Sequence, residues 1–220
     1  MKAETFLKMA GVEYTAQDWA PNKAPLGKAP VLEIDGELTP DSSNIVRKLI
    51  EVHGLDIDEA VDPQRLALAG LAKRALEEHS YWGLLYLRWI DDDGWAKYRS
   101  VIGSAIDVPS FIRGPLLWFL RRNVTKDAKG QGLSRHSKAD ILRRVIEDLQ
   151  GVEAVLGDEK FLGGAKPCSH DASAFAFIEN LAHPLFENEV TAYVSQSKAL
   201  REYRERMRTH AWPDWDFPAL

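Results

Sequence analysis

The sequence predicts a small α/β unit followed by a longer all-helical region. Two observations predict it. Residues 1–54 run helix, strand, loop, hairpin, helix, with turn residues between the elements. From Arg65 onward apolar residues recur almost entirely at helical spacing. The polar stretch Leu55 to Pro63 separates the two patterns. The expected division is 1–54 and 65–220.

Within the first unit, residues 2–10 read as a helix. Phe6, Leu7, Met9 and Ala10 form its apolar side, and Gly11 is a C-terminal stop. Val12–Ala16 alternates and is rich in strand formers, so it reads as a strand. Pro21 to Lys28 is punctuated as a loop by Pro21, Pro25 and Gly27. Pro30–Ile34 is a short apolar strand. Asp35-Gly36 is a strong hairpin signal, and Glu37-Leu38-Thr39 returns as the partner strand. Asp41-Ser42-Ser43 opens a helix whose apolar face is Ile45, Val46, Leu49 and Ile50, ended by Gly54.

In the second unit, helices are expected over Arg65–Trp89, Trp95–Ser104, Leu116–Thr125 and Ser137–Leu156. Breaks are expected at Asp107–Pro115 and at Lys129–Gly132. Asp171–Leu181 is nearly all apolar, so it belongs at the centre of the helical region. Thr191–Thr209 reads as one final helix. The stretch from Phe111 to Arg122 mixes aromatics with arginines, as interfacial helices do. Its apolar part is short and contains Gly114-Pro115, so it reads as a core-packed segment with a solvated basic end.

Composition narrows the function classes. The 220 residues are 45% hydrophobic and 28% charged, with a net charge of −5, as in ordinary globular chains. This acidic balance points away from nucleic acid, whose phosphates favour basic surfaces. No apolar run is long enough to span a bilayer, and no signal core follows Met1. Hence no nucleic-acid or membrane partner is expected, and the expected location is cytoplasmic. Cys168 stands alone, which excludes an intrachain disulfide and a CxxC pair. The six histidines show no metal-ligand spacing, so no metal is expected.

Four stretches carry a family resemblance. Gly27-Lys28-Ala29-Pro30-Val31-Leu32 followed by Asp41-Ser42-Ser43-Asn44-Ile45 resembles the glutathione-binding half of a glutathione transferase. GDEKFLGGAKPCSHDASAFAF, residues 157–177, resembles the signature that precedes and opens that family's buried central helix. HSYWGLLYLRWID (79–91) and GQGLSRHSKADIL (130–142) are similar to the bacterial metaxin and failed-axon-connections group of glutathione-transferase-like proteins. The opening KAETFLKMAGVEY is similar to that group's first helix and second strand.

The resemblance implies a thioredoxin-like N-terminal domain, with its first strand missing, and an all-helical C-terminal domain. It implies glutathione as co-substrate and an electrophilic small molecule as substrate, with a homodimer as the family expectation. The implied glutathione-binding residues are Ala29, a cis Pro30, Asp41 and Ser42. Ala29 would pair with the tripeptide backbone, Ser42 would bind the γ-glutamyl carboxylate, and Asp41 would accept from its ammonium group. Tyr81 and Trp82 would line the electrophile cleft. The family's central helix is capped by Ser or Thr three residues before an Asp. Here Cys168 stands there with Asp171, so Ser169 is expected to take over as cap. The thiol-activating residue would lie before the first helix, so no catalytic residue is assignable.

The residues themselves leave alternatives open. Asp and Ser are favoured helix caps with or without a ligand, and aromatics at helical spacing also build cores. The competing function is a non-catalytic transferase-like binding or scaffold protein.

Overall fold

The computed structural model describes residues 1–17, 24–106 and 108–215. Helix α1 (Lys2–Met9) is followed by β1 (Val31–Ile34) and β2 (Glu37–Pro40). They pair antiparallel in the register Val31↔Pro40 to Ile34↔Glu37. The turn between them is the expected one. Asp35 and Gly36 both have positive φ, 51° and 81°, which matches the twist of a two-residue hairpin. Helix α2 (Ser42–His53) ends at Gly54. Phe6 and Leu7 of α1 are buried against Ile45 and Leu49 of α2 and against Ala172.

The expected strand Val12–Ala16 is absent as a strand. Residues 12–17 lack regular structure, because no segment among the described residues offers them a ladder partner. The described sheet is accordingly two-stranded. The expected loop Pro21 to Lys28 lies partly outside the described residues.

The helical part begins with one long run. It comprises α3 (Pro63–Arg74), a π turn (Ala75–Ser80), α4 (Tyr81–Leu85) and a second π turn (Tyr86–Ile90). Then come α5 (Asp92–Ala105), α6 (Ser110–Gln131), α7 (Lys138–Leu156) and α8 (Ser169–Leu181). The last helices are α9 (Glu189–Gln196) and α10 (Lys198–Ala211). Ser137 caps α7: its Oγ accepts from Asp140 N–H at 3.2 Å and donates to Asp140 Oδ2 at 2.7 Å.

Three expectations in this region are corrected. Helix α6 begins at Ser110 and runs through Pro115 and Gly130. Proline there removes one hydrogen bond, to the carbonyl of Phe111, and Phe111 lies on the solvent side. The stop falls at Gly132, with φ of 117°. The stretch 111–122 is also not core-packed, since Phe111, Trp118 and Phe119 are exposed. Finally, Ser197 splits the expected last helix. Its backbone is extended, and its hydroxyl accepts from Leu200 N–H at 3.1 Å, which starts α10.

By packing, the chain forms two compact units that interleave along the sequence. Among the described residues, one is built from Met1–Lys73, Val155–Ala176 and 202–215; the other from Arg74–Ala154 and Phe177–Arg201. Helix α8 is buried as expected: Ala172, Ala174, Phe175, Phe177 and Ile178 are all in the core.

The first unit is organised by Asp171, which is 0% exposed. Its Oδ1 accepts from Leu162 N–H at 2.9 Å and from the Tyr203 hydroxyl at 2.9 Å. Its Oδ2 accepts from Cys168 N–H at 2.8 Å and Gly163 N–H at 3.2 Å. Burial pushes this carboxyl upward, and the donors of Cys168, Leu162 and Tyr203 oppose that push. Ser169 does not become the side-chain cap. Its own N–H instead donates to Asp58 Oδ1 at 2.7 Å, so an acid from the 55–63 stretch supplies the acceptor that Cys168 lacks.

Asp171→Ala would strand four donors, and one stranded donor costs about 1–3 kcal/mol. The expected loss is at least about 3 kcal/mol in urea unfolding, a large share of a typical ~5–15 kcal/mol total. A loss below about 0.5 kcal/mol would show that the network does not hold the unit together.

Candidate functional site

The hairpin and α2 bring the first set of predicted residues together. Val31 opposes Pro40 in the register, so Pro30 and Asp41 flank the same end of the ladder. The Ala29–Pro30 peptide is cis. Ala29 is exposed, and its backbone N–H and C=O have no hydrogen-bond partner among the described residues. Thus the chain segments Ala29–Pro30 and Asp41–Ser42 leave the same end of the ladder.

Asp41 is the helix N-cap, as its residue type favours. Its Oδ1 accepts from Ser43 N–H at 2.9 Å and Asn44 N–H at 3.2 Å. Its backbone has φ 74° and ψ 129°, a conformation rarely adopted by a residue with a side chain. Such outliers cluster at functional sites. Oδ2 of Asp41 carries no hydrogen bond among the described residues. The carboxylate therefore caps its own helix with one oxygen and presents the other.

Ser42 is the first residue of α2 and is only 6% exposed. Its hydroxyl and its backbone N–H both lack a partner among the described residues. At a helix N-terminus this pair forms a fork of donors suited to a carboxylate. One neighbouring cation was not legible in the sequence: Lys73 Nζ donates to Ser43 Oγ at 2.9 Å. No local pattern signals it, because Lys73 sits 30 residues along the chain from Ser43 and arrives through packing of α3.

Tyr81 and Trp82 belong to the second unit. Their rings meet edge-to-face at 5.4 Å. Tyr81 is 39% exposed, and its hydroxyl is shifted upward by burial and then by Tyr98. That shift disfavours a phenolate.

Cys168 is fully buried. Burial first, then the Asp171 carboxylate, push its thiol well upward, so it is not a nucleophile. Among the described residues no group of three His, Cys, Asp or Glu side chains is placed to hold a metal.

A second polar cluster lies in the second unit. Arg88 Nη2 donates to Asn180 Oδ1 at 2.8 Å. Its guanidinium lies 5.4 Å from the Tyr98 ring and 5.3 Å from the Phe186 ring. His183 joins this cluster beside Phe186, and its Nδ1 accepts from Leu185 N–H at 3.2 Å. Burial first, then the charge on Arg88, hold this imidazole below its ordinary 6.5, while Glu179 pulls the other way.

Comparison with known proteins gives a consistent result. The family model described as Glutathione S-transferase N-terminal domain matches residues 1–94. That described as Glutathione S-transferase, C-terminal domain matches residues 145–207. The chain is 32% identical to an isoprene-epoxide–glutathione S-transferase of Rhodococcus sp. (strain AD45), over 94% of this chain and 89% of that protein. It is 26% identical to Failed axon connections of Drosophila melanogaster, covering 98% of this chain but only 54% of that protein. The fold is similar to the crystal structure of the beta-etherase LigF from Sphingobium sp. strain SYK-6. There the TM-score is 0.63 at 18% identity, over 94% of this chain and 89% of that one. A class Gtt2 glutathione S-transferase of Vibrio parahaemolyticus gives a TM-score of 0.57 at 17% identity, over 94% and 86%.

The His183 geometry yields a pH prediction. A lowered folded-state pKa means that the folded protein binds fewer protons than the unfolded chain below the ordinary 6.5. This contribution to stability is present above that value and declines as pH falls through it. His183→Asn keeps an acceptor for Leu185 N–H and removes the titration. Urea midpoints of the variant should fall less than wild type between about pH 7.5 and about 5.5. Equal falls in both proteins would remove His183 from the acid response.

Proposed function

The chain belongs to the glutathione S-transferase family, and from that premise we propose that it binds glutathione at the start of α2 and joins it to an electrophilic small molecule. The observation that carries the reading is the pair of unpartnered donors on Ser42 beside the unpartnered Oδ2 of Asp41. The γ-glutamyl end of glutathione carries a carboxylate and an ammonium on one carbon. Ser42 N–H and Oγ–H donate to the carboxylate, assisted by the N-terminal dipole of α2. Asp41 Oδ2 accepts from the ammonium. The cysteinyl backbone then reaches the exposed N–H and C=O of Ala29, next to Pro30, in the manner of a short added strand.

The substrate class is a small electrophile. The Rhodococcus relative is named for an isoprene epoxide, and a strained three-membered ether fits such a reaction. The thiolate sulfur forms an S–C bond as one ring C–O bond breaks. The ring oxygen takes up the proton that the thiol released, so the sum is glutathione plus epoxide giving a hydroxy thioether. Tyr81 and Trp82, an aromatic pair within the second unit, are the residues that the family resemblance implies for the apolar part of such a substrate. Cys168, buried and held as the thiol, takes no part.

Calorimetric titration with glutathione tests the site. Ser42→Ala removes one donor to a charged group, so binding should weaken by about 1.5–3 kcal/mol, or roughly 10- to 100-fold. Unchanged affinity would move the γ-glutamyl end away from α2. A conjugation assay with a small epoxide tests the transfer. Tight binding with no turnover would overturn the transfer and leave a glutathione-binding protein.

A further inference from the structure

Helix α6 has an exposed face that the proposed glutathione site does not use. Phe111 is 79% exposed, Trp118 61% and Phe119 54%. At 3.6 residues per turn, these side chains project within about 100° of arc together with Pro115, Arg122, Lys126 and Lys129. The buried residues of α6, Leu117 and Ala128, point the opposite way. The helix therefore packs on one side and shows solvent a stripe that is apolar in its first half and cationic in its second.

Charge selects what covers this stripe. Helix α6 holds five cations (Arg113, Arg121, Arg122, Lys126 and Lys129) against one acid, Asp127, a net of +4, while the whole chain is −5. Asp127 falls outside the arc of the stripe. Arg122 lies over the Trp118 ring at 5.5 Å. Among the described residues, Arg122, Lys126 and Lys129 form no ion pair. Exposed aromatics in line with unpaired cations are the pattern of a helix lying in a bilayer interface, rings among the acyl chains and cations at anionic headgroups. A second copy fits less well. Two α6 helices apposed about a twofold axis place +4 against +4.

We propose that α6 is a reversible docking surface for anionic membrane. The helix lies on the bilayer and does not cross it; no helix among the described residues is long and apolar enough to do so. This reverses the expectation, drawn from the sequence, that the segment is core-packed and that no membrane is involved. The docking is independent of the glutathione reading, since no residue of α6 belongs to that site.

The test is vesicle co-sedimentation of the full chain. Vesicles of phosphatidylcholine with phosphatidylglycerol should retain the protein, pure phosphatidylcholine should retain far less, and added salt should release it. Trp118→Ser with Phe119→Ser should weaken binding at least about tenfold through lost apolar burial. Arg122→Glu, Lys126→Glu and Lys129→Glu together should weaken it at least about 100-fold, from about fivefold per lost cation, with repulsion of the new carboxylates added. These side chains are exposed, and far-UV circular dichroism verifies that the variants fold. No retention by anionic vesicles, or retention equal in wild type and both variants, would overturn the proposal. So would a concentration-dependent dimer that the Trp118/Phe119 variant dissolves while wild type ignores vesicles; that result assigns the face to a second copy.

Discussion

One buried carboxylate, that of Asp171, sets the geometry on which the first compact unit depends. It gathers the backbone N–H groups of Leu162, Gly163 and Cys168 with the Tyr203 hydroxyl. A buried ion without partners is among the costliest features a fold can hold. Here the donors converge from the turn at Leu162-Gly163, from Cys168 just before α8, and from α10. Each of these elements is therefore tied to the others through one side chain. Ala172, next along α8, reaches the core of Phe6, Leu7, Ile45 and Leu49. In this way the cap of the central helix also positions α1 and α2.

The candidate site inherits its order from that packing. Helix α2 is held by its buried side, Ile45 and Leu49, so its N-terminus is a fixed point. The hairpin delivers Pro30 to that point through register alone. A slip of one residue in the ladder would reverse which side chains face the core and carry Ala29–Pro30 away from Asp41. The strained backbone of Asp41 is maintained by the same restraints: a cap on one side and a paired strand on the other. Rigid surroundings of this kind preorganise donors before a ligand arrives, which lowers the ordering cost of binding.

The two ends of the molecule's chemistry are treated differently. Cys168 is a thiol in a protein of a thiol-handling family, yet burial and Asp171 keep it protonated. It belongs to the Asp171 network, through its N–H and its side chain. Arg88, by contrast, is a cation held between aromatic faces and the end of α8. There its charge meets the carbonyl end of the helix dipole and adds to burial in depressing the protonation of His183.

The sequence by itself determined the local features, because each rests on neighbours in the chain. Asp35-Gly36 dictated the hairpin, Asp41 and Ser137 dictated helix starts, and the apolar run Ala172–Ile178 marked the central helix. The motifs around Pro30, Asp41-Ser42 and Asp171 identified the family. What depends on distant partners was decided only by tertiary structure. Val12–Ala16 has strand-forming residues but no ladder neighbour among the described residues, so its propensity goes unused. Pro115 and Gly130 read as breaks, yet α6 passes through both, since packing of Leu117 and Ala128 outweighs two local penalties. Phe111, Trp118 and Phe119 read as core but face solvent, for the side of a helix that is buried is chosen by what lies against it. Asp58 and Lys73 gained their roles the same way, as each meets a residue far along the chain, Ser169 and Ser43. Periodicity reports which residues share a face; it carries no information about which other segment, if any, will cover that face.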